Sequence, residues 1–137
     1  PAPWRFGYAD MVRYGEIDML HHVNNSVYLK WFENLRVRYF IARGIWTADG
    51  NQPKVVVRNA GLHFRAEVTL GQDYILTART TKMGTTSFTM DYGVWVDGTL
   101  TTTGDAVLVS INDQGQKCAL PDITRQVFST FDGAVQT

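Results

Sequence analysis

Apolar and polar positions alternate along the chain in two different rhythms, and the change of rhythm marks the fold. Tyr28, Trp31, Phe32, Leu35 and Tyr39 recur at spacings of three and four, the stripe of an amphipathic helix that turns one face to a core. Ser26 or Asn25 is placed to cap its amino end, and Gly44 to terminate it. Before it, Trp4–Tyr14 reads as a strand with Phe6, Tyr8, Met11 and Val12 as its apolar content, and Gly15–Asn25 reads as loop.

From Lys54 onward the rhythm is that of strands. Val55–Val57 begin one, which Leu62, Phe64 and Val68 continue across a bend at Gly61. Tyr74–Lys82 and Thr86–Val96 follow, the latter with Phe88, Met90, Tyr92, Val94 and Val96 at strict period two. Asp97-Gly98 predicts a tight hairpin turn into Leu100–Ile111. Gly71–Asp73, Met83–Thr85 and Asp113–Gly115 supply other turns, and Pro121–Phe131 a short closing helix. The order is strand, long helix, then about four antiparallel strands, an α+β arrangement. One helix cannot cover both faces of such a sheet, so surplus apolar surface predicts a homo-oligomer.

With 137 residues and neither a repeat nor a linker, a single domain over 1–137 is expected. Thirteen basic and thirteen acidic side chains cancel, which argues against nucleic acid or an anionic membrane as principal partner. The single cysteine, Cys118, allows no intrachain disulfide and no metal site built from several thiolates. No apolar run reaches the roughly 20 residues of a membrane span. Pro1–Gly7 lacks the basic and apolar segments of a secretory signal. The expected location is the cytoplasm.

Candidate chemistry is concentrated in Tyr14–Arg36, YGEIDMLHHVNNSVYLKWFENLR, where Glu16, Asp18, His21, His22, Asn24 and Asn25 fall just before the helix. Peptide N–H groups at a helix start are unpaired and carry partial positive charge. They can polarise a carbonyl and stabilise the oxyanion formed when it is attacked. A carboxylate beside them can serve as nucleophile, or as general base toward water. This local design suits acyl transfer.

The run from Asp18 through His22, Val23, Asn24 and Asn25 to Tyr28, with Trp31 and Glu33 after it, resembles the signature of the 4-hydroxybenzoyl-CoA thioesterase-like family. It is also similar to the matching segment of long-chain acyl-CoA and acyl-carrier-protein thioesterases. Strand order, the Gly71-Gln72-Asp73 turn and the Met83–Ser87 run extend the resemblance over nearly the whole chain. It implies a hotdog fold, a long central helix wrapped by a roughly five-stranded antiparallel sheet. It further implies dimers with a continuous sheet, often paired into tetramers, and active sites at the dimer interface. It maps the catalytic aspartate onto Asp18, the His-Val-Asn-Asn element onto His22–Asn25 and the helix glutamate onto Glu33. Leu20 stands where acyl-carrier-protein thioesterases of this type have asparagine, which favours a simpler aspartate mechanism over a hydrogen-bonded Asp-Asn-His one.

Each candidate also has a plainer role. By position alone Asp18 would organise the turn before the helix; the surrounding motif makes it the catalytic candidate. His22 fits a structural or a catalytic histidine equally, and His21 reads as a loop residue. Asn24 and Asn25 join the site through the motif, while capping and turn formation are their simpler functions. Glu33 falls about 140° around the helix from Tyr28, off the aromatic stripe, where a solvated charge or a pair with Lys30 or Arg36 is usual. Tyr28 and Trp31 are core first and acyl-pocket lining second. Arg65, like Arg58, Arg79 and Lys82, is a candidate for the phosphates of coenzyme A.

The expected activity is hydrolysis of an acyl-CoA thioester with no metal and no cofactor, coenzyme A being part of the substrate. The alternatives are an acyl-thioester hydratase or dehydratase, and a non-catalytic acyl-thioester binding module.

Overall fold

The computed structural model describes residues 4–49 and 52–137, so the first three residues of the Pro1–Gly7 segment lie outside it. Strand β1 (Gly7–Met11) leads through a short 3-10 turn (Tyr14–Glu16) to helix α1 (Asn25–Ala42). Four longer strands follow: β2 (Val55–Phe64), β3 (Asp73–Met83), β4 (Ser87–Val96) and β5 (Thr99–Ser110). Helix α2 (Asp122–Asp132) and the short β6 (Val135–Gln136) close the chain. The sheet order is β1-β3-β4-β5-β2, all antiparallel, and β6 adds parallel to β3 beside β1. This is the α+β hotdog arrangement predicted above.

The helical stripe does what its spacing predicts. Tyr28, Trp31, Phe32, Leu35 and Tyr39 are all buried, joined by Phe40. They meet Tyr74, Leu76, Met90, Tyr92, Val94 and Leu108 from the inner face of the sheet in one hydrophobic cluster. Phe32 stacks on Tyr92 with centroids 4.7 Å apart. It can lie there because Tyr92 pairs across the sheet with Gly104, where an added Cβ would come 2.6 Å from the Phe32 ring. The period-two residues of β4 are buried as expected.

Several boundaries differ from the sequence reading. The first strand is confined to Gly7–Met11, because Arg13 and Glu16 draw the chain into the 3-10 turn, the Arg13 N–H donating to Glu16 Oε1 at 2.8 Å. The cap of α1 is Asn24, not Ser26 or Asn25; its side-chain oxygen accepts from the Ser26 N–H at 3.1 Å. Strand β2 runs unbroken through Gly61, its irregularity is a shift in register between Val57 and Asn59, and it ends at Phe64, leaving Val68 outside. Gly44 does end α1, at φ +77. Asp97 and Gly98 form the hairpin turn with φ +51 and +78, a pair of positive values that suits the twist of the flanking strands.

Candidate active site

The site begins as a small hairpin that delivers the chain into α1. Ile17 and Val23 form an antiparallel bridge, and inside it the Asp18 N–H donates to the His22 carbonyl at 2.8 Å. The turn is closed by the Asp18 side chain, whose Oδ1 accepts from the N–H groups of Leu20 at 2.9 Å and His22 at 3.2 Å. His21 is held at φ +64, a left-handed conformation that costs a non-glycine residue about 1 kcal/mol. Asp18 therefore does organise its turn, but with one oxygen only. Oδ2 accepts no hydrogen bond among the described residues.

The far wall comes from the segment between β2 and β3. His22 bridges Thr69, and the Val23 N–H donates to the Val68 carbonyl at 2.8 Å. Glu67 lies two residues before Thr69, so its side chain emerges on the same face of that short pairing and diagonal to His22. The His22 Nε2 and Glu67 Oε2 atoms are 3.0 Å apart. Phe64 and Arg65 follow from the end of β2, Phe64 meeting the Tyr28 ring edge-on at 5.2 Å.

Together Asp18, His22, Asn25, Tyr28, Phe64, Arg65 and Glu67, with Val23, Ala66 and Val68, line a cavity of about 330 Å³ at the amino end of α1. The Asn25 N–H, in the first turn of α1, finds no acceptor among the described residues. The lining residues thus include a carboxylate with one oxygen uncommitted and a helix-start residue whose N–H is unpaired, both among the described residues. Burial, reinforced by the nearby Glu67 charge, raises the Tyr28 phenol above its ordinary value, so it stays a neutral hydroxyl.

A larger, open groove of about 850 Å³ lies elsewhere, among Trp4, Met11, Ile75 and Trp95. Its lining carries Asp10, Asp73 and Asp97 but no histidine and no helix start.

Of the residues proposed from sequence, Asp18, His22, Asn25, Tyr28 and Arg65 share the cavity. Asn24 caps α1 from outside it. Trp31 points toward β1 and β3, its indole N–H donating to Glu16 Oε2 at 2.7 Å and its ring stacked on Tyr74. Glu33 is exposed on the helix and away from the cavity; Arg36 donates to the Tyr92 hydroxyl rather than to it. Arg79 lies beside Trp4 and Asp91. The sequence pattern does not point to Phe64 or Glu67 as site residues. Nothing local marks Glu67, which reaches His22 only through the long-range pairing of Thr69.

The thioesterase-like superfamily model matches residues 12–128. A thioesterase-superfamily crystal structure from Jannaschia sp. CCS1 is 38% identical, superposes with a TM-score of 0.90, and is matched over 100% of this chain and 89% of that one. A thioesterase from Thermus thermophilus, crystallised with coenzyme A and Zn, is 29% identical with a TM-score of 0.84 over 95% of this chain and 96% of that one. The uncharacterized protein YsmA of Bacillus subtilis (strain 168) is 27% identical over 107 residues, 77% of this chain and 72% of YsmA. The chain belongs to the thioesterase-like superfamily and is a hotdog-fold thioester hydrolase.

Proposed function

We propose that the protein hydrolyses an acyl-CoA to the free acid and coenzyme A, with Asp18 as the reacting carboxylate. The observation that carries this reading is the Asp18 carboxylate, anchored through Oδ1 and unengaged at Oδ2 among the described residues, lining one cavity with Asn25, whose N–H is unpaired among them. A thioester carbonyl placed against that N–H is polarised, and the charge that develops on its oxygen is stabilised by a donor already in place. Asp18 then attacks the carbonyl carbon to give an acyl anhydride, or takes a proton from an attacking water. The thiol of coenzyme A is acidic enough, near the value of about 8.5 for a free cysteine, to leave as thiolate. Tyr28 and Phe64 supply an aromatic wall for the acyl group, and Arg65 a cation for a phosphate of coenzyme A.

No metal or separate cofactor enters this scheme, because oriented backbone donors provide the polarisation a Lewis acid would otherwise supply. Activity is expected to survive exhaustive chelation; loss on chelation with recovery by one divalent metal would overturn the scheme.

Strand β2 occupies one end of the sheet, with no partner on its outer edge among the described residues, and Val56, Val57 and Phe64 are each nearly half exposed along it. An unpaired apolar edge of this length invites strand addition, and a second copy of β2 would extend the sheet into a homodimer, two of which form a tetramer. A light-scattering mass of one chain at micromolar concentration would remove the dimer from this reading. Among the described residues no helix is long and apolar enough to cross a membrane. The free thiol of Cys118 is compatible with the reducing cytoplasm where we place the activity.

The deciding experiment is release of free thiol from a panel of acyl-CoAs. A hydratase or a binding module would release none, and silence across the panel would sink the proposal.

A further inference from the structure

We propose that Glu67 is a positioning residue that holds His22 as the base for the water step, an inference that rests on the reading of Asp18 as nucleophile. The observation is the 3.0 Å approach of His22 Nε2 to Glu67 Oε2 at the wall of the Asp18 cavity. Turned onto the Nε2–H, a carboxylate at that distance would accept its proton and thereby select the ring tautomer whose Nδ1 lone pair is free to take another. The His22 backbone is held independently. Its N–H donates to Asp18 Oδ1, its carbonyl accepts from the Asp18 N–H, and it bridges Thr69. The ring, by contrast, meets Glu67 as a close ion-pair contact and makes no hydrogen bond to a protein group among the described residues. The proposed pairing follows the logic of a histidine oriented by an acid, with the base serving the attacking water rather than the nucleophile.

In the first step a bond forms between an Asp18 oxygen and the acyl carbon, the C–S bond breaks, and the electron pair leaves with sulfur. In the second, water attacks the acyl carbon of the anhydride and passes one proton to His22 Nδ1. The resulting imidazolium is paired with Glu67. The bond between Asp18 and the acyl carbon breaks and restores the carboxylate. The proton on His22 goes to the coenzyme A thiolate, and the acid product loses its own proton to solvent. Each turnover thus consumes one thioester and one water, with every group returned to its starting state.

The test uses the full chain and the best acyl-CoA of the thiol-release panel, with water or hydroxylamine as acceptor. Hydroxylamine attacks as a neutral amine and needs no base to remove a proton first. The Glu67 side chain is 70% exposed, and Glu67→Gln preserves its size. That variant is expected to lower kcat by about 10²-fold, with KM falling alongside it so that kcat/KM, which reports the first step, changes little. It should release a burst of thiol equal to the enzyme before slow turnover, and hydroxylamine should restore its rate while yielding acyl hydroxamate. Glu67→Asp should fall between the variant and wild type. Unchanged turnover in water, or an equal defect with both acceptors and no burst, would overturn the proposal, since a merely structural role gives one of these results. Asp18→Asn separates the two readings. It should be inert with either acceptor, whereas an active Asp18→Asn would refute the nucleophile itself.

Discussion

The two ends of α1 each have an aspartate beside them, and the contrast between them shows how burial decides whether such a side chain is tied into the architecture or left available. At the amino end Asp18 is exposed, spends Oδ1 on two peptide N–H groups of its own turn, and leaves Oδ2 without a donor among the described residues. At the carboxyl end the Asp132 side chain is fully buried. Its Oδ2 accepts from the Tyr39 hydroxyl and from the Thr80 N–H, the latter at 2.9 Å, and Arg43 stands 4.0 Å from Oδ1. Arg43 is in turn packed over the rings of Phe131, Tyr39 and Phe6. Asp132 ties α2 to α1 and β3 and has no access to a substrate. Asp18 stabilises little beyond its own loop and remains available. Burial and the number of donors, rather than the side chain itself, separate the two roles.

Substitution at each end should therefore affect different observables. Asp18→Asn keeps an Oδ1 for the Leu20 and His22 N–H groups and removes only the charge, and with it the proposed nucleophile or base. We expect kcat/KM to fall by about 10³-fold or more with the melting temperature preserved. Near wild-type hydrolysis by this variant would mean that the carboxylate is not the reacting group.

Asp132→Asn should reverse that pattern. It leaves Arg43 without its buried counter-charge and replaces a charged acceptor at Tyr39 and Thr80 with a neutral one. A loss of about 3 kcal/mol is expected in denaturant unfolding, with turnover per folded molecule unchanged. A loss under about 0.5 kcal/mol, the range of ordinary surface substitutions, would show that the buried carboxylate contributes nothing to the helix junction.

A milder test concerns the middle of the helix, where burial pushes the Tyr92 hydroxyl up to about 12, against the opposing influence of Arg36. The folded state therefore holds this proton more tightly than the unfolded chain, whose tyrosine ionises near 10. The stability it contributes is fully present below about pH 10 and is lost as pH rises toward about 12. Urea midpoints measured across that interval should fall less steeply for Tyr92→Phe than for wild type; identical slopes would place the alkaline transition elsewhere.

The smallest expected effect lies beside Asp18, at the cap. Asn24→Ala should cost about 1 kcal/mol, read as a lower melting temperature. Because Asn24 sits outside the cavity, kcat/KM should change little. A large drop in kcat without loss of stability would move Asn24 from the cap into the chemistry.

Much of this was legible from the sequence because it depends on local spacing. Tyr28, Trp31, Phe32, Leu35 and Tyr39 face one way on any α-helix, and Asp97-Gly98 suits a tight turn in any context. Asp18, His22 and Asn25, candidates through the resemblance carried by one short segment, do share one cavity. Their assembly with Tyr28 at a helix start follows from chain continuity. Register was less legible. The Ser26, Asn25 and Asn24 side chains are all competent caps, and only the geometry of the turn from Asp18 to His22 selects Asn24.

Local pattern thus sets the α+β framework, the identity of the central helix and the near wall of the site. The far wall is a product of contacts across the fold. Glu67 meets His22 because Thr69 pairs with His22, and Trp31 turns away from the cavity because Glu16 and Tyr74 hold its indole. Those contacts also select which aspartate stays free, since burying Asp132 requires Tyr39, Thr80 and Arg43 to converge from three parts of the chain. The physical reason is the range of the interactions. Helical periodicity and turn preference act over a few residues, whereas a carboxylate's partners are set by contacts between segments that no local pattern encodes.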